Sequence, residues 1–289
     1  MRRKLDGVLL LDKPLEISSN SALQVARGIY RAEKAGHTGT LDPLASGLLP
    51  VCFGEATKYS GWMLDADKTY RATLKLGVTT TSGDAEGEVL LRRPVSVDPE
   101  SIGKAITGFV GEISQVPPMH SALKHKGKPL YAYARAGVEI ERAPRRVTIF
   151  SLTLESRAMD EMVISVRCSK GTYVRVLAED LGEALGCGAH LAALERTGIG
   201  PFRIGAAHSL EALRAREDRD SLLLPVDVLL GDFPALDLDS EAAKALSCGR
   251  QIEGFGAAAG LYRLYDGNVF IGLGESGPDG RLKARRMMS

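Results

Sequence analysis

The period of the apolar positions changes along the chain, and each change marks an element. Residues 7–12 are a short apolar run stopped by Asp12-Lys13-Pro14, which predicts a buried strand. Ser18, Ser19 and Ser21 offer helix caps, and Ala22, Val25, Ala26 and Ile29 then recur at helical spacing. Residues 56–64 predict a short helix. Over residues 70–76, Tyr70, Ala72, Leu74 and Leu76 fall on one face and Arg71, Thr73 and Lys75 on the other, the alternation of a half-buried strand. Residues 79–87, rich in Thr, Ser, Gly and Asp, predict a surface loop. Asp98 caps a helix with Ile102, Ala105, Ile106 and Phe109 on its inner face. Strands are expected at 147–154 and 162–168. From 172 to 185, Val174, Leu177, Ala178, Leu181 and Leu185 form a buried helical stripe that Gly186 ends. Residues 188–197 return to a strand, and His208-Ser209 opens another helix.

After Pro225 the texture shifts. Residues 233–239 read as a linker and first strand, and residues 254–260, rich in Gly and Ala, as a flexible segment. Residues 262–265 and 269–272 flank Asp266-Gly267-Asn268, a hairpin signal. The tail 281–286 is basic. Together these elements predict an α+β protein. A large domain over residues 1–230 is built on a mixed, mainly antiparallel sheet with flanking helices. A small β domain with a basic rim follows over residues 231–289.

One polar stretch interrupts the apolar pattern: Gly36-His37-Thr38-Gly39-Thr40-Leu41-Asp42-Pro43-Leu44-Ala45-Ser46-Gly47, which runs straight into the apolar residues 48–53. Its glycines and proline make a shaped loop. Asp42 precedes Pro43, which biases its backbone to an extended conformation and so directs its carboxylate. His37 lies on the same loop. A polar loop feeding a buried strand is a common way to present a catalytic group from a rigid scaffold. The loop lacks the Gly-Lys-Ser/Thr ending of a phosphate-binding loop.

Composition narrows the partners. The chain has 289 residues and a net charge of +1, so no global field advertises nucleic acid, and any RNA site must come from local clustering. Residues 124–146 supply such a cluster: seven Lys/Arg against two Glu, with Tyr131 and Tyr133 between them, as in a segment that clamps a polyanion. The four cysteines are widely spaced, which argues against zinc and against a disulfide framework and suits a reducing cytosol. The basic start Met1-Arg2-Arg3-Lys4 is followed by too short an apolar run for a signal peptide, and no stretch approaches a membrane span.

Several separated strings carry a resemblance. They are Gly-Val-Leu-Leu-Leu-Asp-Lys-Pro (7–14), the loop 36–47, Asp67-Lys68-Thr69-Tyr70-Arg71, Ser121-Ala122-Leu123-Lys124, Ser169-Lys170-Gly171-Thr172-Tyr173-Val174-Arg175 and Gly186-Cys187-Gly188-Ala189-His190-Leu191. Over residues 5–230 the chain resembles the TruB-type tRNA pseudouridine synthases, and the C-terminal module resembles a PUA-type RNA-binding domain. The resemblance implies a pseudouridine-synthase-like fold and isomerisation of a uridine at position 55, in the T-loop of tRNA. The N-glycosidic bond breaks, the base turns, and a C–C bond forms, with no cofactor or metal. Asp42 is then the nucleophile, and Arg175 the guanidinium that keeps it ionised. Tyr70 stacks on the target base and takes part in proton transfer, and Tyr173 and Leu194 complete the base pocket. His37 fills the space left by the flipped uridine. Lys13 supports the loop or contacts a phosphate. Lys124, Lys126 and Lys128, in an insertion spanning about 118–146, hold RNA. The expected partner is the T-stem-loop of tRNA, in the cytoplasm, with the protein a monomer without a protein partner. Two rivals stand beside this reading: a non-catalytic RNA-binding or RNA-folding protein, and a synthase acting on another RNA. The set Asp42, Tyr70 and Arg175 argues against the first, and the basic insertion without a large N-terminal extension against the second.

Overall fold

An apolar run has no polar face to turn outward, and Gly7–Lys13 accordingly forms β1, buried along nearly its whole length. α1 (Ser19–Tyr30) follows, capped by Ser18, whose hydroxyl accepts from Ser21 N. Next come β2 (Ala35–His37) and β3 (Ala45–Phe53). The helix expected at 56–64 is two pieces, a tight 3₁₀ turn Gly54–Lys58 and α2 (Ser60–Leu64). Tyr59 N reaches back only three residues, to Ala56 O at 3.1 Å, and this shorter bond breaks the α-helical ladder. β4 (Lys68–Leu76), β5 (Val78–Thr80) and β6 (Val89–Arg92) precede α3 (Pro99–Gly108), which Asp98 caps as its spacing predicts.

β7 (Gly111–Gln115) leads into two short strands, β8 (Lys124–His125) and β9 (Lys128–Pro129), then α4 (Leu130–Ala134). Two longer strands follow, β10 (Arg145–Ala158) and β11 (Glu161–Cys168). α5 (Val174–Ala184) is followed by β12 (Ala189–Ile199), β13 (Phe202–Arg203), β14 (His208–Ser209) and α6 (Leu210–Ala215). The last elements are β15 (Ala235–Leu238), α7 (Ser240–Ser247), β16 (Gly260–Asp266), β17 (Val269–Ser276) and β18 (Leu282–Met287). The basic tail is thus a strand. α7, capped by Asp239, lies in a stretch too short for its periodicity to show in the sequence. The computed structural model describes every residue except Gly254; the start of the expected flexible segment therefore lies outside the described residues.

The chain divides into two compact units, Met1–Asp42 with Leu49–Leu64 and Ala206–Ser289, and Pro43–Leu48 with Asp65–Gly205. In the second unit the first residues of β3 lie parallel to β12, and β12, β4, β11, β10 and β7 follow in antiparallel order. This is the large mixed, mainly antiparallel sheet expected. α5 and α3 cover one face. Leu177, Ala178 and Leu181 of α5 and Ile102 of α3 pack on Ala72, Leu74, Leu76, Ile164 and Val166, all within 2% of complete burial. Each such Leu or Ile contributes roughly 1.5–3 kcal/mol by leaving water.

In the first unit β1 pairs in parallel with β14, and β2 is antiparallel to the end of β3. α1 lays Ala22, Leu23, Ala26 and Tyr30 on Leu9, Leu11, Leu49, Val51 and Phe53. The same unit holds a separate four-stranded sheet in the order β15, β16, β17, β18, with α7 packed through Ala243 and Leu246. This C-terminal module is tied down by Tyr59, whose hydroxyl donates to Arg286 O at 3.0 Å and whose ring meets Phe270 edge-on. Tyr265 adds a bond from its hydroxyl to Asp227 Oδ2 at 2.6 Å.

Candidate active site

The loop of residues 36–47 is held by main-chain and hydroxyl bonds. Thr38 N donates to Pro50 O at 3.2 Å. Ser19, buried at the start of α1, grips Leu41 on both sides: its hydroxyl accepts from Leu41 N at 2.7 Å and donates to Leu41 O at 2.9 Å. The next residue, Asp42, is exposed. A side chain that follows a clamped peptide and precedes a proline has little freedom of direction. Ser19 has the look of a helix cap in the sequence, but Ser18 does the capping, and Ser19 is free to hold the loop.

His37 ends β2, half-buried, and Gly39 N donates to its Nδ1 at 3.3 Å. That bond requires a ring nitrogen without hydrogen, so the remaining proton sits on Nε2. Lys13 is completely buried, and its ammonium donates to Pro14 O and Ile17 O, both at 2.8 Å. Of the two roles the sequence leaves open for Lys13, this burial fits support of the loop.

In the second unit the residues gather at one end of the sheet and at the start of α5. Tyr70 points to the helix-covered face of β4, with Val166 of β11 on one side and Arg196 of β12 on the other. Leu194 lies one step along β12, opposite Ala72 and, on its other side, Ala45. Arg196 is a residue that no motif points to. It is 1% exposed, its Nε donates to Leu48 O at 2.8 Å, and its guanidinium bonds the Tyr70 phenol oxygen. Gly47 makes this approach possible: its φ is +100°, and a Cβ there would meet Arg196 O at 2.5 Å. Lys68, two residues before Tyr70 on the same face, is half-buried. Burial, and secondly Arg196, push its ammonium down to about 8.

α5 opens with Tyr173 and Arg175. Tyr173 caps the helix without a side-chain bond of its own. Gln115, 2% exposed at the end of β7, takes both of its main-chain groups, Oε1 accepting from Tyr173 N at 3.0 Å and Nε2 donating to Tyr173 O at 3.3 Å. Arg175 is 7% exposed and donates to Asp84 Oδ2 at 3.3 Å and His120 O at 2.7 Å. Asp84 itself accepts from Ser82 Oγ and Glu86 N. The segment 79–87 is a surface loop, as its composition predicts, at Thr81, Ala85 and Glu86, but its centre turns inward. Gly83 and Asp84 are buried, and the main chain docks on β12 through Leu191 N to Gly83 O at 2.9 Å and Ala85 N to Leu191 O at 3.0 Å. Glu179, one turn after Arg175, has its carboxyl raised above the usual range by burial and then by Asp180.

The insertion forms a β-hairpin. β8 and β9 pair Lys124 with Pro129 and His125 with Lys128. Its two-residue turn, Lys126-Gly127, has φ +49° and +81°, the left-handed geometry of a tight hairpin turn. Lys124, Lys126 and Lys128 are exposed, and none forms an ion pair among the described residues. Lys128 lies 4.9 Å from the Tyr133 ring centre, and the Tyr133 hydroxyl donates to His125 O. Among the described residues no His, Cys, Asp or Glu group converges as a metal would need. No helix is long and apolar enough to cross a membrane, again among the described residues.

Comparison with known proteins gives one answer. Residues 27–174 match the model of the TruB family pseudouridylate synthase N-terminal domain. Residues 175–231 match the tRNA pseudouridylate synthase B C-terminal domain, and residues 234–288 the C-terminal model of pseudouridine synthase II TruB. The whole chain is 57% identical to a tRNA pseudouridine synthase B of Thiobacillus denitrificans, covering 97% of that protein. It is 55% identical to the protein of the same name from Aromatoleum aromaticum, covering all of this chain and 94% of that one. For the Burkholderia mallei protein of that name the figures are 58% identity over 92% of this chain and 91% of the relative. Among solved structures, a Cbf5-Nop10-Gar1 complex is 27% identical, with a TM-score of 0.74 over 93% of this chain and 78% of that one. An H/ACA ribonucleoprotein bound to a substrate RNA containing 2′-deoxyuridine shares the fold, at 22% identity and a TM-score of 0.75 over 98% of this chain and 85% of that one.

Proposed function

The chain belongs to the TruB family of pseudouridylate synthases, and on that premise we propose that it isomerises uridine 55, in the T-loop of tRNA, with Asp42 as the nucleophile. The enzyme is a tRNA pseudouridine synthase, an isomerase. The observation that carries the finer reading is the presentation of Asp42. It is an exposed carboxylate placed between a proline and a residue, Leu41, whose N–H and C=O are both bonded to one buried serine. Such a group can reach only a nucleotide whose base leaves its stack, so the uridine is flipped before reaction.

The other roles follow the chemistry of each side chain. Arg175 supplies a positive charge beside which a carboxylate nucleophile can work. Tyr70 stacks on the base and handles a proton, Tyr173 and Leu194 shape the pocket, and His37 fills the vacated stack. Residues 1–230 form the catalytic domain and residues 231–289 a PUA-like RNA-binding module. The protein works in the cytoplasm as a monomer on the T-stem-loop. Incubation with an unmodified tRNA transcript, followed by mapping of pseudouridine, tests the target. Product at position 55 is expected. Product elsewhere would move the protein to a synthase of another RNA, and binding without product would make it an RNA-folding protein.

The lysine hairpin has its own test. Each phosphate contact releases counterions, so replacing Lys124, Lys126 and Lys128 together with Ala should weaken tRNA binding. It should also reduce the slope of log affinity against log salt by roughly 2–3. An unchanged slope would make the hairpin a solvated turn.

His37 acts by shape in this reading, and its neutral Nδ1 is already an acceptor within the loop. His37→Ala should lose more activity on a folded stem-loop than on RNA whose target base is already unstacked, because unstacking takes a few kcal/mol that the missing ring no longer offsets. His37→Phe should keep more activity than His37→Ala. Equal loss for both variants on both substrates rules out the wedge.

A further inference from the structure

Arg196 is the largest of the fully buried side chains among the described residues. One register shift brings it opposite Tyr70. Across β12 and β4, Leu191 faces Leu74; one extra residue then intervenes, and the ladder resumes so that Leu194 faces Ala72 and Arg196 faces Tyr70. A second shift follows immediately, between Arg196 and Gly198. Side chains alternate along a strand, so without the first bulge Arg196 would lie on the opposite face. The fold thus places a charged side chain inside, where charge is costly to desolvate. There it donates to Leu48 O at 2.8 Å and to the Tyr70 phenol oxygen.

We propose that Arg196 is a positioning residue for the isomerisation: it fixes the phenol oxygen of Tyr70 and stabilises negative charge on it, so that Tyr70 can carry the proton the reaction moves. The inference rests on the role given to Tyr70 above. The net reaction takes one proton from the base carbon that forms the new glycosidic bond and returns one to the nitrogen that gave up the old bond. A Tyr70 phenolate takes the first: its O–H bond forms as the C–H bond breaks, and the electron pair of that bond stays in the ring. The phenol then gives a proton up, to the nitrogen or through solvent, and the enzyme ends as it began. A guanidinium suits the supporting role. Burial lowers its pKa below the usual guanidinium value and the Tyr70 phenol opposes that shift, while its planar fork serves two acceptors at once, here Leu48 O and Tyr70. Lys68 lies on the same face, and its ammonium is pushed down to about 8 by burial and then by Arg196.

The test is single-turnover isomerisation at saturating tRNA, with tRNA affinity measured separately, for wild type, Arg196→Met, Arg196→Lys and Tyr70→Phe. Met fills the same volume without a charge, and Lys restores a donor cation. Arg196→Met should slow the step by about 10²-fold, the lower end of what proton-transfer groups contribute, with affinity changed less than about threefold. Arg196→Lys should recover at least a tenth of the wild-type rate. A Lys variant as slow as Met, a Met variant at full speed, or a loss that lies wholly in affinity overturns the proposal. Should Arg196→Met fail to fold by circular dichroism, the Lys variant alone decides, since a purely space-filling role predicts no rescue of rate. Wild type and Tyr70→Phe report on the underlying reading. Absence of product from the first, or full speed in the second, would sink that reading itself and would be seen apart from the Arg196 pair.

Discussion

Asp42→Asn should abolish pseudouridine formation while tRNA binding largely survives. The amide keeps the shape of the side chain and removes the nucleophilic oxygen's charge, so the chemical step loses its covalent route. The loss should reach about four orders of magnitude or more, the scale on which removal of a nucleophile acts in enzymes where it has been dissected. The loop is held by Ser19 on both sides of Leu41 and by Thr38 N on Pro50 O, and none of these bonds uses the Asp42 side chain. Single-turnover assays on a tRNA transcript, beside filter binding of the same transcript, separate chemistry from recognition. Product from the Asn variant at near wild-type rate would falsify the assignment.

Gly182→Ala should destabilise the protein by about 3 kcal/mol or more, the upper range of overpacking, although helix propensity argues the reverse. In an open helix Ala is better than Gly by about 0.8–1.0 kcal/mol. Gly182 lies inside α5 on the side toward β12. A Cβ there would stand 2.2 Å from Ala189 N and 2.4 Å from Gly188 C. These are main-chain atoms of the turn into β12, and Gly188 N donates to Gly182 O at 2.8 Å, so the neighbour cannot swing aside. The fall in melting temperature should be roughly 6–12 °C, at 2–4 °C per kcal/mol for a chain of this class. Gly28 of α1 is the control. Nothing lies within 4 Å of its Cβ position, and Gly28→Ala should raise stability by up to about 1 kcal/mol. Opposite signs for the two substitutions, read by thermal denaturation, are the expected result. Matching signs would mean that α5 does not pack on β12 as described.

Local rules carried much of the fold. The alternation over residues 70–76 forms β4 with Ala72, Leu74 and Leu76 inside, because the two-residue period of a strand is a property of the backbone alone. Ser18 and Asp98 cap α1 and α3 because a capping bond spans three residues, and α5 stops just before Gly186 for the same local reason. The α+β architecture and the family follow from such strings and from the motif loop around Asp42. What the sequence could not contain is which distant groups meet. Ser19 reaches Leu41 across 22 positions, Asp84 meets Arg175 across 91, and Arg196 reaches Leu48 across 148. No period or spacing encodes these partners. Arg196 turns inward only because one extra residue in β12 shifts its register on β4, and a bulge is decided by the pairing of two strands, not by either alone. Asp84 lies in a stretch composed like a solvated turn, and it is buried because its main chain finds donors and acceptors on β12. Short-range backbone preference is written residue by residue. Register, burial of charge and the close approach at Gly182 exist only once the elements have packed.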